Sequence, residues 1–236
     1  AGQSIGVTGA SIDASNGNVA TQGAVSLSAT GDVATRSATI SGGNVTVQAG
    51  GTLDNTAGSL SSNTTLQVGA QRVVNQSGLL ASTGNTSINT GSLDNTSGAL
   101  GSNSGSLTIN GTGDITNAKG KLVAAQDVSI TGGSLGNQGG TVSAQNLSLN
   151  TGTGAVDNTG GTVSAAGTAN VTAGSLVNQG GTLAAAGNVA ASVASLDNTS
   201  GVLGSSSGTL NVNSSGAITN AGGKLVAAQD VTLAGA

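Results

Sequence analysis

The sequence predicts an all-β chain, a parallel β-helix (β-solenoid) of about eleven coils of 20–22 residues with three short strands in each. Three observations carry that prediction. Nine asparagines recur at intervals of 20 to 22 residues, four aliphatic columns keep the same period, and glycine interrupts every segment long enough for a helix. A fixed period of this length means a stack of similar units, each covering its neighbour's apolar face.

The columns define the coil. Column one runs from Ile12 through Val33, Leu53, Val73 and Leu93 to Ile218, so the mean period is (218 − 12)/10, or 20.6 residues. Column two lies seven residues later, from Val19 to Leu225. Column three runs from Val25 to Val231, and column four lies two residues beyond it, from Leu27 to Leu233. A separation of two puts columns three and four on one face of a strand. Columns one and two read as separate short strands, with glycine and small polar residues between. The i, i+3, i+4 spacing of a helix is missing and β-branched residues are frequent. At ~4.8 Å per layer, eleven coils make a rod on the order of 50 Å long.

The asparagines are Asn55, Asn75, Asn95, Asn117, Asn137, Asn158, Asn178, Asn198 and Asn220, each two residues after column one. Two readings compete. One is an amide ladder, each side chain bonding the next coil and its own turn. The other is a row of ligand-binding groups. The ladder is favoured, because these positions share the inward parity of column one. Asn75, Asn95 and Asn198 also fit the glycosylation sequon, which a buried ladder could not serve.

A glycine follows three residues after each asparagine: Gly58, Gly78, Gly98, Gly120, Gly140, Gly161, Gly181, Gly201 and Gly223. A corner with φ > 0 is the expected reason. A phosphate loop is the weaker reading, since that motif is one glycine cluster leading into a helix. The position after column one holds Asp13, Asp54, Asp94, Asp157 and Asp197, never in adjacent coils. Like charges stacked ~5 Å apart would repel, and chance with solubility is the competing explanation. Residues 92–130 and 195–233 align at an offset of 103 without gaps. Asp114 and Lys119 change together in that comparison, to Ala217 and Gly222, which suggests an ion pair across a corner.

Composition narrows function. The net charge is −4, and only Arg36, Arg72, Lys119, Lys121 and Lys224 are basic. They are spread out, unlike the clusters of a nucleic-acid surface, so no nucleic-acid partner is expected. No apolar run reaches the ~20 residues of a membrane helix, so no membrane insertion by this segment is expected. There is no His, Cys or aromatic residue. Acid–base or nucleophilic catalysis then has few candidates, and an enzyme, a cofactor and a metal site are not expected. Lack of cysteine fits an export route that forms no disulfides. The chain starts in mid-repeat without a signal peptide and reads as a fragment of a longer shaft. It forms one repeat domain, with two atypical coils over 1–50 and nine regular Asn/Gly coils over 51–236. In the first two coils Ala14 and Thr35 stand where asparagine is expected.

The segments GGTLDNTAGSLSS, GSLDNTSGALGS, GSLVNQGGTLAAAGNVA and GKLVAAQDVTL resemble haemagglutinin repeats of the filamentous haemagglutinin family. The resemblance covers essentially the whole chain. It implies a right-handed β-helix from a Gram-negative bacterium, exported through an outer-membrane transporter partner and secreted or held at the cell surface. It further implies the shaft of an adhesin, or of a contact-dependent toxin-delivery exoprotein. A host-cell or bacterial receptor would then be met through other regions. The family's functional residues are not carried over, because no secretion or toxin domain accompanies these repeats. The alternative is an adhesive strip between columns three and four, including Ser26, Gln67 and Asn170, that binds a receptor, a glycan or another copy directly.

Overall fold

The computed structural model describes residues 2–235, and all their regular structure is β-strand. The chain winds into a parallel β-solenoid of about twelve turns. Each strand pairs in parallel with the equivalent strand one coil away. Leu93 lies opposite Val73 and Ile115, Leu100 opposite Leu80 and Leu122, and Ile88 opposite Val68 and Ile109. The register inferred from the four columns is therefore the register of the fold. The strand Ile5–Gly9 pairs with Val25–Ala29 and adds one layer before the first column-one residue.

Column two builds an eleven-stranded sheet of its own. Columns three, four and one share an 18-stranded sheet, where separate strands were expected. The reason is that five coils run through the corner as single strands: Val45–Asp54, Leu66–Val74, Thr86–Asp94, Ala169–Val177 and Val189–Asp197. In four of them column four is followed by column one after five residues, as in Val68 to Val73. In Val45–Asp54 the interval is six, and a bulge between Ala49 and Thr52 absorbs the extra residue. Longer corners, such as Ile109 to Ile115 and Leu149 to Val156, break the strand. Ile130 to Leu135 keeps the short spacing but breaks at Gly132–Gly133, where no side chain packs.

Only the arc from column one to column two keeps a constant length, seven residues in every coil. Variation in coil length is confined to the other two corners. Whatever fixes the repeat acts on the constant arc, and that arc contains the asparagine and the glycine.

The interior is a narrow aliphatic tube. Leu53, Leu60, Leu66, Leu80, Leu107 and Ile115 are fully buried. Each such side chain contributes roughly 1.5–3 kcal/mol relative to its exposed state. The Thr86 hydroxyl replaces an aliphatic group in column three. It donates to the Gly101 carbonyl at 2.7 Å and lies 2.8 Å from the Ser82 hydroxyl, so its burial leaves no polar atom unpaired.

A fifth inward column, not singled out from sequence, lies two residues after column two. It holds only small residues, among them Gly42, Ser62, Ser82, Ser102, Ala124, Ala144 and Ser205. Its serines bond the corner backbone of the preceding coil, as in Ser62 to the Gly43 carbonyl at 2.6 Å and Ser205 to the Gly187 carbonyl at 2.6 Å.

Candidate functional site

The nine asparagines stand in one unbroken row. From Asn55 to Asn198 their side chains have no exposed surface, and Asn220 is partly buried in the last coil. Each Nδ2 donates to the Oδ1 of the asparagine one coil onward, through eight consecutive bonds of 2.7 Å. The second N–H of Asn55 is shared between the Gly58 carbonyl of its own turn, at 3.2 Å, and the Leu79 carbonyl of the next coil, at 3.1 Å. The same pair of acceptors recurs along the row, ending at Gly201 and Lys224 for Asn198. All amide protons point C-terminally or into the turn, so the row has a direction. Its first acceptor, Asn55 Oδ1, takes a bond from the Thr35 hydroxyl at 2.8 Å. The threonine that departs from the pattern thus supplies the donor that the start of the row needs.

Each asparagine also opens a tight turn. The Gly58 N–H donates to the Asn55 carbonyl at 3.0 Å, and the same bond recurs at Gly98, Gly140 and Gly201. The expected reason for the glycine column is corrected here. The residue with φ > 0 is the one before the glycine: Ala57, Ser77, Ser97, Lys119, Gly139, Gly160, Gly180, Ser200 and Gly222. A turn of this kind needs φ > 0 at its third residue. The glycine column is required by close approach instead. A Cβ at Gly78 would lie 2.5 Å from Asn75 Oδ1 and closer still to the Asn55 carbonyl oxygen. It would occupy the space through which the row passes. Of the two coils without the asparagine, coil 2 has Ala38 at the glycine position and coil 1 keeps Gly17.

The third turn position yields a prediction. Ser97, at φ 56°, holds a conformation that costs a side-chain-bearing residue roughly 1–2 kcal/mol. Glycine already stands at the equivalent position in four other coils, 139, 160, 180 and 222. Ser97→Gly is expected to raise stability by about 0.5–1 kcal/mol, after the extra flexibility of glycine in the unfolded chain is deducted. Thermal unfolding of the variant checks this, and a lower melting temperature would contradict it.

The ion pair expected between Asp114 and Lys119 also needs correction. Among the described residues the one ion pair joins Arg36 and Asp54, at 2.7 Å. Asp114 instead accepts from the Ser134 hydroxyl at 2.7 Å, and no Asp114–Lys119 ion pair forms. Lys119 and its counterpart Gly222 both occupy the φ > 0 turn position, where glycine is the easier residue.

The aspartates after column one have partners that the sequence reading missed. Asp94 Oδ1 accepts the Thr96 N–H at 3.0 Å, closing a local turn. Its Oδ2 accepts from Gln76 Nε2 of the preceding coil at 2.7 Å. Gln138 does the same for Asp157, Gln179 for Asp197, and Arg36 for Asp54. Each of these four aspartates therefore follows a coil that carries a long donor beside its turn. The signal was present in the sequence as a Gln or Arg three residues after column one in the coil before each such Asp.

These bonds set the pH response. Thr199 and Gln179 hold the Asp197 carboxyl below the usual range. For Asp54 and Asp94 burial pushes upward, but bonds from Thr56 and Arg36, and from Thr96 and Gln76, outweigh it and leave both carboxyls low. A depressed folded-state value means stability that is present above the unfolded carboxylate range, about 3.9, and lost as pH falls through the folded value. The melting temperature is expected to hold between neutral pH and pH ~5 and to fall below pH ~4. A melting temperature that rises on acidification would contradict these assignments.

A groove lined by Arg72, Asp94 and Asp114 brings together two carboxylates and a guanidinium, with no histidine or cysteine. Among the described residues no group of three His, Cys, Asp or Glu side chains could hold a metal ion, and no helix is long and apolar enough to cross a membrane.

An aliphatic-lined parallel solenoid with an amide row in its one constant arc defines a repeat-built structural rod. The chain belongs to the haemagglutinin repeat family, whose model matches residues 1–57, 40–119, 102–160 and 142–236. That family is structural and generally non-catalytic. No curated protein and no solved structure gives a significant match to the chain.

Proposed function

We propose that this chain is a segment of the shaft of a filamentous, secreted or cell-surface exoprotein. The shaft would hold a binding or toxin module away from the cell, in an adhesin or a contact-dependent toxin-delivery protein of a Gram-negative bacterium. Export would use an outer-membrane transporter partner, and the segment itself would not be an enzyme. The observation that carries this reading is uniformity. Every coil repeats the same arc and, apart from Thr86, the same aliphatic columns, nine of them carry the asparagine, and no long insertion interrupts the stack. Solenoid binding loops usually stand out as insertions on one face. The nine asparagines and nine glycines are, in this reading, structural.

Residues 92–194 form a 103-residue unit of five coils that can be removed in register. Within its parent protein, this deletion is expected to shorten the rod by ~24 Å while secretion and partner binding persist. If binding disappears although the shortened rod is secreted and folded, the spacer reading fails. The adhesive reading, in which one polar face meets a receptor or glycan, would then take its place.

A further inference from the structure

We propose that two copies of this solenoid associate side by side through the outer face of columns three and four. Two outward columns make this face: the position between columns three and four, and the position after column four. Neither contains a charged residue in any coil. Exposed groups there are hydroxyls and amides, including Gln48, Gln67, Asn110, Asn170 and Asn213. Asp127 and Asp230 stand one position before column three, at one edge of this face, and the other charges lie elsewhere. Asp13, Asp54, Asp94, Asp157 and Asp197 follow column one, and Lys121 and Lys224 lie on the column-two strands.

This distribution favours a second copy as the occupant. The net charge is −4, so two rods meeting through the aspartate face would set like charges against each other. The uncharged face avoids that cost. Its amides and hydroxyls both donate and accept, so the surface is complementary to itself. In-register amide stacking already occurs on it, where Asn110 Nδ2 donates to Asn89 Oδ1 at 3.0 Å. Stacked, uncharged amide rows are the chemistry of paired-sheet interfaces.

The relief also suits interdigitation. Ser129 and Ser148 line a hollow beside Asn146 and Asn170, with Asp127 at its edge, one position outside the two columns. Ala190 and Ser192 line a second hollow beside Asn211 and Asn213. The leading strand and eleven coils give this face twelve strand layers. At ~4.8 Å per layer and about five residues of ~3.3 Å each, the face covers roughly 900 Å². A standard interface buries ≈ 800 Å² per partner, so this face alone is large enough for a stable pair.

Sedimentation velocity of the 236-residue chain over a concentration series tests the proposal. A reversible dimer is expected at micromolar concentrations and above. Ser87→Asp with Ser148→Asp places charges on the face in non-adjacent coils and is expected to return a monomer. Ser61→Asp with Ser143→Asp makes the same charge change on the column-two sheet and is expected to leave the dimer intact. Circular dichroism melts establish that each pair of variants is folded. A wild-type monomer at every concentration overturns the proposal, even if the chain is retained on a glycan array. Equal loss of the dimer in both charge variants also overturns it.

Discussion

Leu100→Asp is expected to cost about 4 kcal/mol or more and to unfold several coils. Leu100 is buried, between Leu80 of the preceding coil and Leu122 of the next. A carboxylate there would face only aliphatic side chains, with no donor to pair with. In a stack, each coil draws stability from its two neighbours, so the loss spreads along the rod before it is contained. At roughly 2–4 °C per kcal/mol for a chain of this size, the melting temperature should fall by about 10 °C or more. Val123→Asp, on the outward side of the adjacent coil's strand, provides the comparison. Val123 is 40% exposed, and the same carboxylate there is expected to change stability little. Equal melting of the two variants would contradict the inward and outward parity of the strands.

Asn137→Ala is expected to cost about 3–5 kcal/mol, far more than truncation of an exposed asparagine. Asn137 accepts from Asn117 Nδ2 and donates to Asn158 Oδ1, both at 2.7 Å, and it also donates to the Gly140 carbonyl. Alanine would leave one Asn117 N–H and the Asn158 Oδ1 buried without their partners, each at a cost of about 1–3 kcal/mol, and would open a cavity between two coils, while the Gly140 carbonyl keeps its bond from the Thr162 N–H. Asn110→Ala removes one amide from the solvent-facing stack and should fall within about 0.5 kcal/mol of the parent. Chemical denaturation of the three proteins measures the difference. Similar midpoints for Asn137→Ala and Asn110→Ala would show that the buried row contributes little.

The coil itself was legible in the sequence because burial repeats with the chain. Leu53, Val73 and Leu93 fall at one phase, and so do their neighbours across the coil boundary. The asparagine positions were legible for the same reason, since they share the parity of column one. What was not legible depends on contacts between coils. The glycine column looks like a corner requirement when one coil is read alone. The clash that excludes a side chain at Gly78 comes partly from Asn55, in the coil before. Gln76 and Asp94 are 18 residues apart, and neither looks unusual until the stack sets them side by side. The fused strands were missed because a corner of five residues and one of six look alike on paper. The backbone can run straight through the shorter corner, or needs a bulge, as between Ala49 and Thr52.

The family assignment and the geometry meet at one claim: a directional row of buried amides fixes the constant arc of every regular coil. Hydrogen–deuterium exchange of side-chain amides in asparagine-labelled protein, read by NMR, tests it most directly. Eight side chains, from Asn55 to Asn198, have no exposed surface and bond in series, so their amide protons should persist long after those of exposed asparagines such as Asn16 and Asn211 have exchanged. Exchange of all asparagine side chains at one fast rate would contradict the row and the account of the fold built on it.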